Sequence, residues 1–169
     1  GGCGFIGSNF IRHLFRAYPD YRITNLDALT YAGNPENLSD IAHGKSERAD
    51  ENAGYHFVRG DVCDVGLLDG LFRKDTFDLV VHFAAETHVD RSHFDVADFI
   101  RTNIEGTRCV LEMSRAYRVP RFVHISTDEV YGSVPHGEWV SEEAALKPSN
   151  LYSTSKAGGD LLVQSMMRV

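Results

Sequence analysis

Cysteine is scarce in this chain. Its three copies, Cys3, Cys63 and Cys109, are an odd number at wide spacings, which excludes a disulfide framework and lacks the paired spacing of a zinc site. A reducing, cytoplasmic setting follows. No apolar run approaches the length of a membrane span, and no signal segment is visible in these residues. There is no basic run either: 17 Lys and Arg stand against 24 Asp and Glu, for a formal charge of −7. That balance disfavours nucleic acid or an anionic membrane as the main partner. Internal repeats and low-complexity stretches are also missing. What remains, at 169 residues, 43% hydrophobic and 24% charged, is an ordinary globular composition with length for one domain, 1–169, and one sizeable core.

The chemistry concentrates at Ser126 to Gly132, Ser-Thr-Asp-Glu-Val-Tyr-Gly. The apolar run Arg121 to Ile125 before it reads as a buried parallel strand bounded by Pro120. Thr127, Asp128 and Glu129 therefore emerge at the strand's carboxyl end, where ligands bind in open α/β sheets. Further on, Tyr152 and Lys156 stand at i and i+4, which puts phenol and ammonium on one face of a helix from about Asn150. Taken singly, each feature has a plainer reading: Asp128 as a helix cap, Glu129 as a surface charge, the Tyr/Lys pair as chance. Their joint occurrence in this order, after a glycine turn, disfavours that reading.

In chain order, Gly1, Gly4 and Gly7 precede an apolar pattern at helical spacing, Phe10, Ile11, Leu14 and Phe15. A glycine turn feeding a helix lets the backbone approach a pyrophosphate, whose charge meets the first amides of the helix. Alone it is equally a plain structural turn. Ile23 to Asp27 reads as the next strand, ending in an acid 20 residues after Gly7, where dinucleotide folds keep a carboxylate for the adenosine ribose. Asp27 would repel a 2′-phosphate and Ala28 offers no cation, which favours NAD over NADP. The polar stretch 28–54, with a short helix after Pro35 and the charged patch Lys45 to Glu51, reads as a solvated insertion.

Tyr55 to Arg59 is a third strand, after which Asp61 either contacts adenine or caps the helix suggested by Leu67, Leu68 and Leu71. Asp78 to Phe83 is a fourth, and small Ala84 and Ala85 beyond it let a cofactor lie against the backbone. His88 and Asp90 are two potential ligands without a third, so no metal is expected. The next helix directs Phe99, Ile100, Ile104, Val110 and Leu111 to the core. Asn103, locally unfavourable in a helix, either serves the cofactor side or makes a buried structural hydrogen bond. The loop Val134 to Ser149 is expected to lie over the site. Strand and helix alternate throughout, predicting an α/β doubly wound parallel sheet of the Rossmann type whose first, central strand is not among these residues.

Read together, these motifs resemble the extended short-chain dehydrogenase/reductase superfamily. The stretches Asn25 to Asn34, His82 to Ser92, Phe99 to Asn103 and Ser126 to Gly132 are similar, more narrowly, to the dTDP-glucose 4,6-dehydratase family. Adjacent Asp128 and Glu129 are the discriminating feature, since related epimerases and decarboxylases generally lack the pair. Small departures are Cys3 for the usual alanine, Thr87 for serine and Leu151 for proline; none removes a functional group. The resemblance implies an NAD site formed by the glycine turn with Phe5, Ile6, Asp27, Ala28, Leu29, Thr30, Asp61, Val62, Phe83, Ala84, Ala85 and Thr102, with Tyr152 and Lys156 at the nicotinamide end. It implies that Thr87 and Thr127 meet the sugar, and that the protein is a homodimer.

It also implies a reaction. Tyr152, its phenolate stabilised by Lys156, takes a proton from the 4-hydroxyl while C4 is oxidised, with Thr127 hydrogen-bonded to the carbonyl. Glu129 then removes the C5 proton, and Asp128, kept protonated by burial and its carboxylate neighbour, protonates the departing C6 hydroxyl. The alternatives are a UDP-sugar dehydratase, an epimerase of the same superfamily, or a silent NAD-binding module, against which four intact reactive groups argue. The chain reads as an amino-terminal fragment lacking its first strand and the substrate domain. By itself it is expected to be marginally stable and inactive, and a cooperative thermal transition of these 169 residues would contradict that.

Overall fold

The computed structural model describes residues 1–42, 54–87 and 96–167. Helix α1 (Phe5–Ala17) starts at the glycine turn and stops one residue before Pro19, which disfavours helical geometry in Tyr18. Strand β1 (Arg22–Asp27) follows. A 3₁₀ turn (Pro35–Leu38) runs into the short α2 (Ser39–Ala42), burying Leu38 and Ile41 against Cys3 and Ile11. After β2 (Gly54–Arg59) comes α3 (Val65–Lys74), whose start is fixed by Asp64, accepting from Leu67 N at 2.9 Å. Arg73 and Lys74 occupy its last turn, where cations suit the helix dipole. The cap is thus Asp64 and not Asp61.

Strand β3 (Val80–His82) leads to a continuous helical rod made of α4 (Val96–Phe99), a π-helical segment (Ile100–Gly106) and α5 (Thr107–Ala116). Strand β4 (Phe122–His124) and a 3₁₀ turn (Asp128–Tyr131) precede the last helix, α6 (Leu151–Met167). Asn103 is 1% exposed, on the same face as Phe99 and Thr107 at spacings of four, whereas Ile100, expected in the core, is 49% exposed. Phe99, Val110 and Leu111 are buried as expected.

All observed strand pairs are parallel, β1 with β2 and β3 with β4, and the order is that of a doubly wound sheet divided in two. Between β1 and β3 lies a cleft of about 1200 Å³, lined by residues of both strands and by α1 and α3. Its position is the one the sequence reading assigns to the central strand that these residues lack. At the carboxyl ends of the strands the first glycines enter this gap. The Gly1 amino group donates to Leu26 O at 2.5 Å, and a β-carbon on Gly1 would lie 2.4 Å from Ala84 N, so the chain passes between the two half-sheets where only glycine fits.

The core is correspondingly in two parts. Val62, Leu68, Phe72, Cys109 and Val110 pack α3 and α5 together beneath the sheet, and Cys3, Ile11, Leu38 and Ile41 form the second cluster. No described helix is long and apolar enough to cross a membrane. The charged patch Lys45 to Glu51 and the loop residues His88, Asp90 and Arg91 fall outside the described residues.

His82 and His124, the last residues of β3 and β4, are stacked with ring centroids 5.5 Å apart. Thr107 donates its one hydroxyl proton to Asn103 O at 2.7 Å, so His82 Nε2, 3.1 Å away, must be the donor to Thr107. Burial, then the positive charge of Lys156, hold His124 down to about 4. The 3.4 Å approach of His124 Nε2 to Asp160 is therefore not an ion pair at neutral pH. An unfolded histidine titrates near 6.5, so below that pH the unfolded chain binds the extra proton and stability falls until about pH 4. His124→Phe should therefore lose less stability than the parent, by about 2 kcal/mol, between pH 6.5 and 4.5. Urea midpoints measured across that range test this, and parallel curves for the two proteins would refute it.

Candidate active site

At the carboxyl ends of the strands a second cleft, of about 360 Å³, is bounded by the glycine turn, the segments after each strand, and the start of α6. Gly7 is required here, because a β-carbon would stand 2.5 Å from Gly1 O. The first turn of α1 presents Phe5 and Ile6 at the cleft, 84% and 62% exposed. Two large apolar side chains left open beside a ring of backbone amides suit a ligand with both a flat apolar part and an anionic part.

Every residue expected to hold the cofactor lines this cleft except Leu29. Leu29 adopts φ 54, a left-handed backbone that turns its side chain into the Cys3/Ile11 cluster. Asp27 is buried, taking Cys3 N on Oδ2 at 2.9 Å and Leu29 N on Oδ1 at 2.8 Å. Each oxygen keeps a lone pair for a further donor. Asp61 accepts from Cys63 N at 2.8 Å and pairs with Arg101 at 2.5 Å, which fixes it as an acceptor toward the cleft. Although burial opposes it, these two partners hold its carboxyl below the usual range.

Thr87 lines the cleft too, while Thr127, Asp128 and Glu129 stand beyond its lining, on the turn after β4. The Thr127 side chain begins that turn, accepting from Glu129 N at 3.3 Å. Glu129 is half-buried and accepts from Asn150 Nδ2 at 2.9 Å; Asp128 is exposed. The expectation of a buried Asp128 is thus overturned: the turn directs it to the open side. Residues 134–149 do not line the cleft, contrary to the expectation for that loop. Lys147 N bonds back to Val130 O at 2.9 Å, and Trp139 stands 96% exposed.

Tyr152 and Lys156 share the cleft wall on the first turns of α6. Burial raises the Tyr152 phenol, the Thr127 hydroxyl beside it acts in the opposite sense, and the charges of Glu129 and Asp128 raise it further. Lys156 is buried and donates to Ile125 O at 2.5 Å, and burial brings its ammonium down to about 8, against the pull of Asp160. The expected stabilisation of the Tyr152 phenolate by Lys156 is therefore not what dominates here; desolvation and carboxylates prevail.

Residues that the sequence reading passed over hold this arrangement. Asn150 caps α6 by accepting from Ser153 N at 2.8 Å while its amide holds Glu129, so helix start and carboxylate are set by one side chain. Asparagine three residues before a serine at a helix start was a readable capping signal. Glu86 and Ser126 also line the cleft. Asn103 settles on the structural alternative. It exchanges two hydrogen bonds with the Glu86 backbone, at 2.8 and 2.9 Å, and donates to Ser155 at 2.8 Å.

The sequence of the GDP-mannose 4,6 dehydratase family model matches residues 1–168. A dTDP-glucose 4,6-dehydratase of Streptomyces niveus is 48% identical over 172 residues, covering 99% of this chain and 48% of its own. A solved dTDP-glucose 4,6-dehydratase of Streptomyces venezuelae with NAD bound has TM-score 0.86 at 45% identity, covering 100% of this chain and 50% of its own. A UDP-glucose 4-epimerase of Thermus thermophilus in complex with NAD has TM-score 0.83 at 29% identity, covering 99% and 49%. The chain spans about half the length of the curated relatives it matches.

Removing the Asn103 carboxamide would strand the Glu86 N–H and C=O. Asn103→Ala is expected to cost about 2 to 4 kcal/mol of stability by denaturant titration. A loss under about 1 kcal/mol would mean that water replaces these bonds without penalty.

Proposed function

The chain belongs to the GDP-mannose 4,6 dehydratase family, and on that premise we propose that it carries the NAD-binding and catalytic residues of a dTDP-glucose 4,6-dehydratase, a lyase acting by internal oxidation and reduction. One observation carries the reading. The Thr127 hydroxyl is hydrogen-bonded to the Tyr152 phenol, and the Glu129 and Asp128 carboxylates on the same turn are near enough for their charges to raise it, so the reactive groups are neighbours beside the cleft.

The cleft fits a dinucleotide in its chemistry: a glycine turn that a β-carbon would fill, exposed Phe5 and Ile6, and an anchored carboxylate at Asp27. In this reading Asp27 accepts from the adenosine ribose, Asp61 from the adenine amine, and the first amides of α1 meet the pyrophosphate. When bound there, NAD would supply a reversible acceptor for the hydride that leaves C4 of the sugar and returns to C6.

The chain's own residues move the protons. Tyr152 takes the proton of the 4-hydroxyl, and Thr127 donates to the oxygen that becomes the 4-keto group. Burial and the carboxylates oppose ionisation of the phenol, so the cation at Lys156 and a positive nicotinamide are needed to favour it. The ketone acidifies C5, whose proton passes to Glu129, held in place by Asn150. Asp128 protonates the departing C6 hydroxyl. Sugar seated over the turn would exclude water from this carboxylate, which stands exposed without it. Elimination leaves a 4-keto-5,6-ene and water, and with hydride returned to C6 and a proton, exchangeable with solvent, returned to C5, the product is the 4-keto-6-deoxy sugar nucleotide. The similarity to epimerases, which share the fold, leaves adjacent Asp128 and Glu129 as the chemical reason to favour elimination.

The protein, prepared at the length of its relatives and incubated in D₂O with dTDP-glucose and separately with UDP-glucose, should release one water per sugar and take up one deuteron at C5. The nucleotide preferred identifies the substrate. Asp128→Asn or Glu129→Gln should slow elimination by roughly 10²- to 10⁴-fold with C4 oxidation less affected. A folded protein that retains NAD but dehydrates neither sugar nucleotide would sink the dehydratase reading.

A further inference from the structure

Beneath Lys156, on the side away from the cleft, stands a carboxylate with no part in the mechanism above. Asp160 lies one helical turn along α6 from Lys156, with its side chain 14% exposed. It accepts from Ser126 Oγ at 2.6 Å. Ser126 lines the cleft and directly precedes Thr127. The same carboxylate is thus tied to the strand-end turn by Ser126 and lies one helical turn from Lys156, where its charge is felt without an ion-pair contact.

We propose that Asp160 is a positioning residue for the dehydratase reaction: through Ser126 it fixes the turn that presents Thr127, and it is the counter-charge that keeps Lys156 an ammonium beside Tyr152. The inference rests on the function proposed above. A buried ammonium sheds its proton unless a negative charge or hydrogen-bond acceptors hold it. Lys156 has one carbonyl acceptor, Ile125 O, and burial already brings it to about 8.

The groups packed around it offer no other anion at close range among the described residues. On its own helix they are Tyr152 and Asp160; on β4, His124; on β3, His82. Both rings are held neutral by burial and by Lys156 itself, so neither supplies charge. Glu129 and Asp128 act on Tyr152, from the far side of the phenol. Asp160 is the group that pulls the Lys156 ammonium upward. Burial pushes Asp160 itself up, and Ser126 and Lys156 act to keep it ionised. The influence is therefore mutual: each charge makes the other more tolerable without a contact between them.

The test uses the NAD-loaded protein with the sugar nucleotide it dehydrates, following kcat and KM from pH 6 to 10. Asp160→Asn should move the alkaline limb of kcat down by about one pH unit. Above the limb this is roughly a tenfold loss, with KM changed by less than about twofold. Asp160→Glu should return the limb toward its parental position. Ser126→Ala, which keeps the charge but loses the tether, should lower kcat without moving the limb. Two results would overturn the proposal: an Asp160→Asn profile superimposable on the parent, or a uniform loss across pH that Asp160→Glu fails to restore. If Asp160→Asn does not fold, an unchanged kcat in Ser126→Ala is by itself sufficient to refute it. Failure of the parent protein to dehydrate either sugar nucleotide would count instead against the proposed function.

Discussion

Three segments far apart in the sequence meet at the carboxamide of Asn103, and the candidate site depends on that junction. Its oxygen and nitrogen bind both backbone groups of Glu86, fixing the segment that leaves β3, and its second proton reaches Ser155 on α6. Ser155 in turn donates to Tyr152 O at 2.7 Å. A rigid carboxamide thus sets the cofactor-side wall and the helix bearing the phenol relative to one another. Spacings of four put Phe99, Asn103 and Thr107 on one helical face, all three buried, and that face brings the carboxamide to the junction.

Parallel strands supply the other half of the arrangement. Each of β1 to β4 ends its pairing on the same side, and the segments that follow gather Asp27, Asp61, Ala84 and Ser126 around one cleft. Short polar contacts from Asp27 to the glycine turn and from Asn150 to Glu129 hold it together. The interruption between β1 and β3 does not disturb this gathering, because Gly1 bridges the two half-sheets at the carboxyl ends.

Much of this was legible in the sequence, and the reasons differ from element to element. Strands β1, β2 and β4 are short apolar runs bounded by turn residues, and their ends coincide with the expected ones to within a residue or two. Asp27, Asp61, Ala84 and Ala85 followed from their places at strand ends, and much of the remaining lining from the family resemblance. What failed depends on single turns of the chain. Ile100 was placed inward for its apolar side chain, although it stands about 100° round the helix from the buried face of Phe99, Asn103 and Thr107. Leu29 leaves the cleft through a left-handed backbone that nothing in its side chain requires. Asp128 and Glu129 are adjacent in sequence but differ in exposure, since a 3₁₀ turn sends neighbouring side chains in different directions.

The electrostatics of the site follow from burial more than from pairing. Burial alone would drive a lysine toward its neutral amine and a tyrosine toward its neutral phenol. Both trends appear here, and two carboxylates reinforce the second. A phenol that must give up its proton in such surroundings depends on cations, and Lys156 is the one that this stretch of chain places on the same helical face. Keeping that cation charged inside the protein then requires an anion beneath it, out of reach of the sugar. The neutral stacked histidines fill the adjoining space without adding charge of either sign. A polar interior that contributes no charge leaves Asp160 as the anion that offsets burial at Lys156.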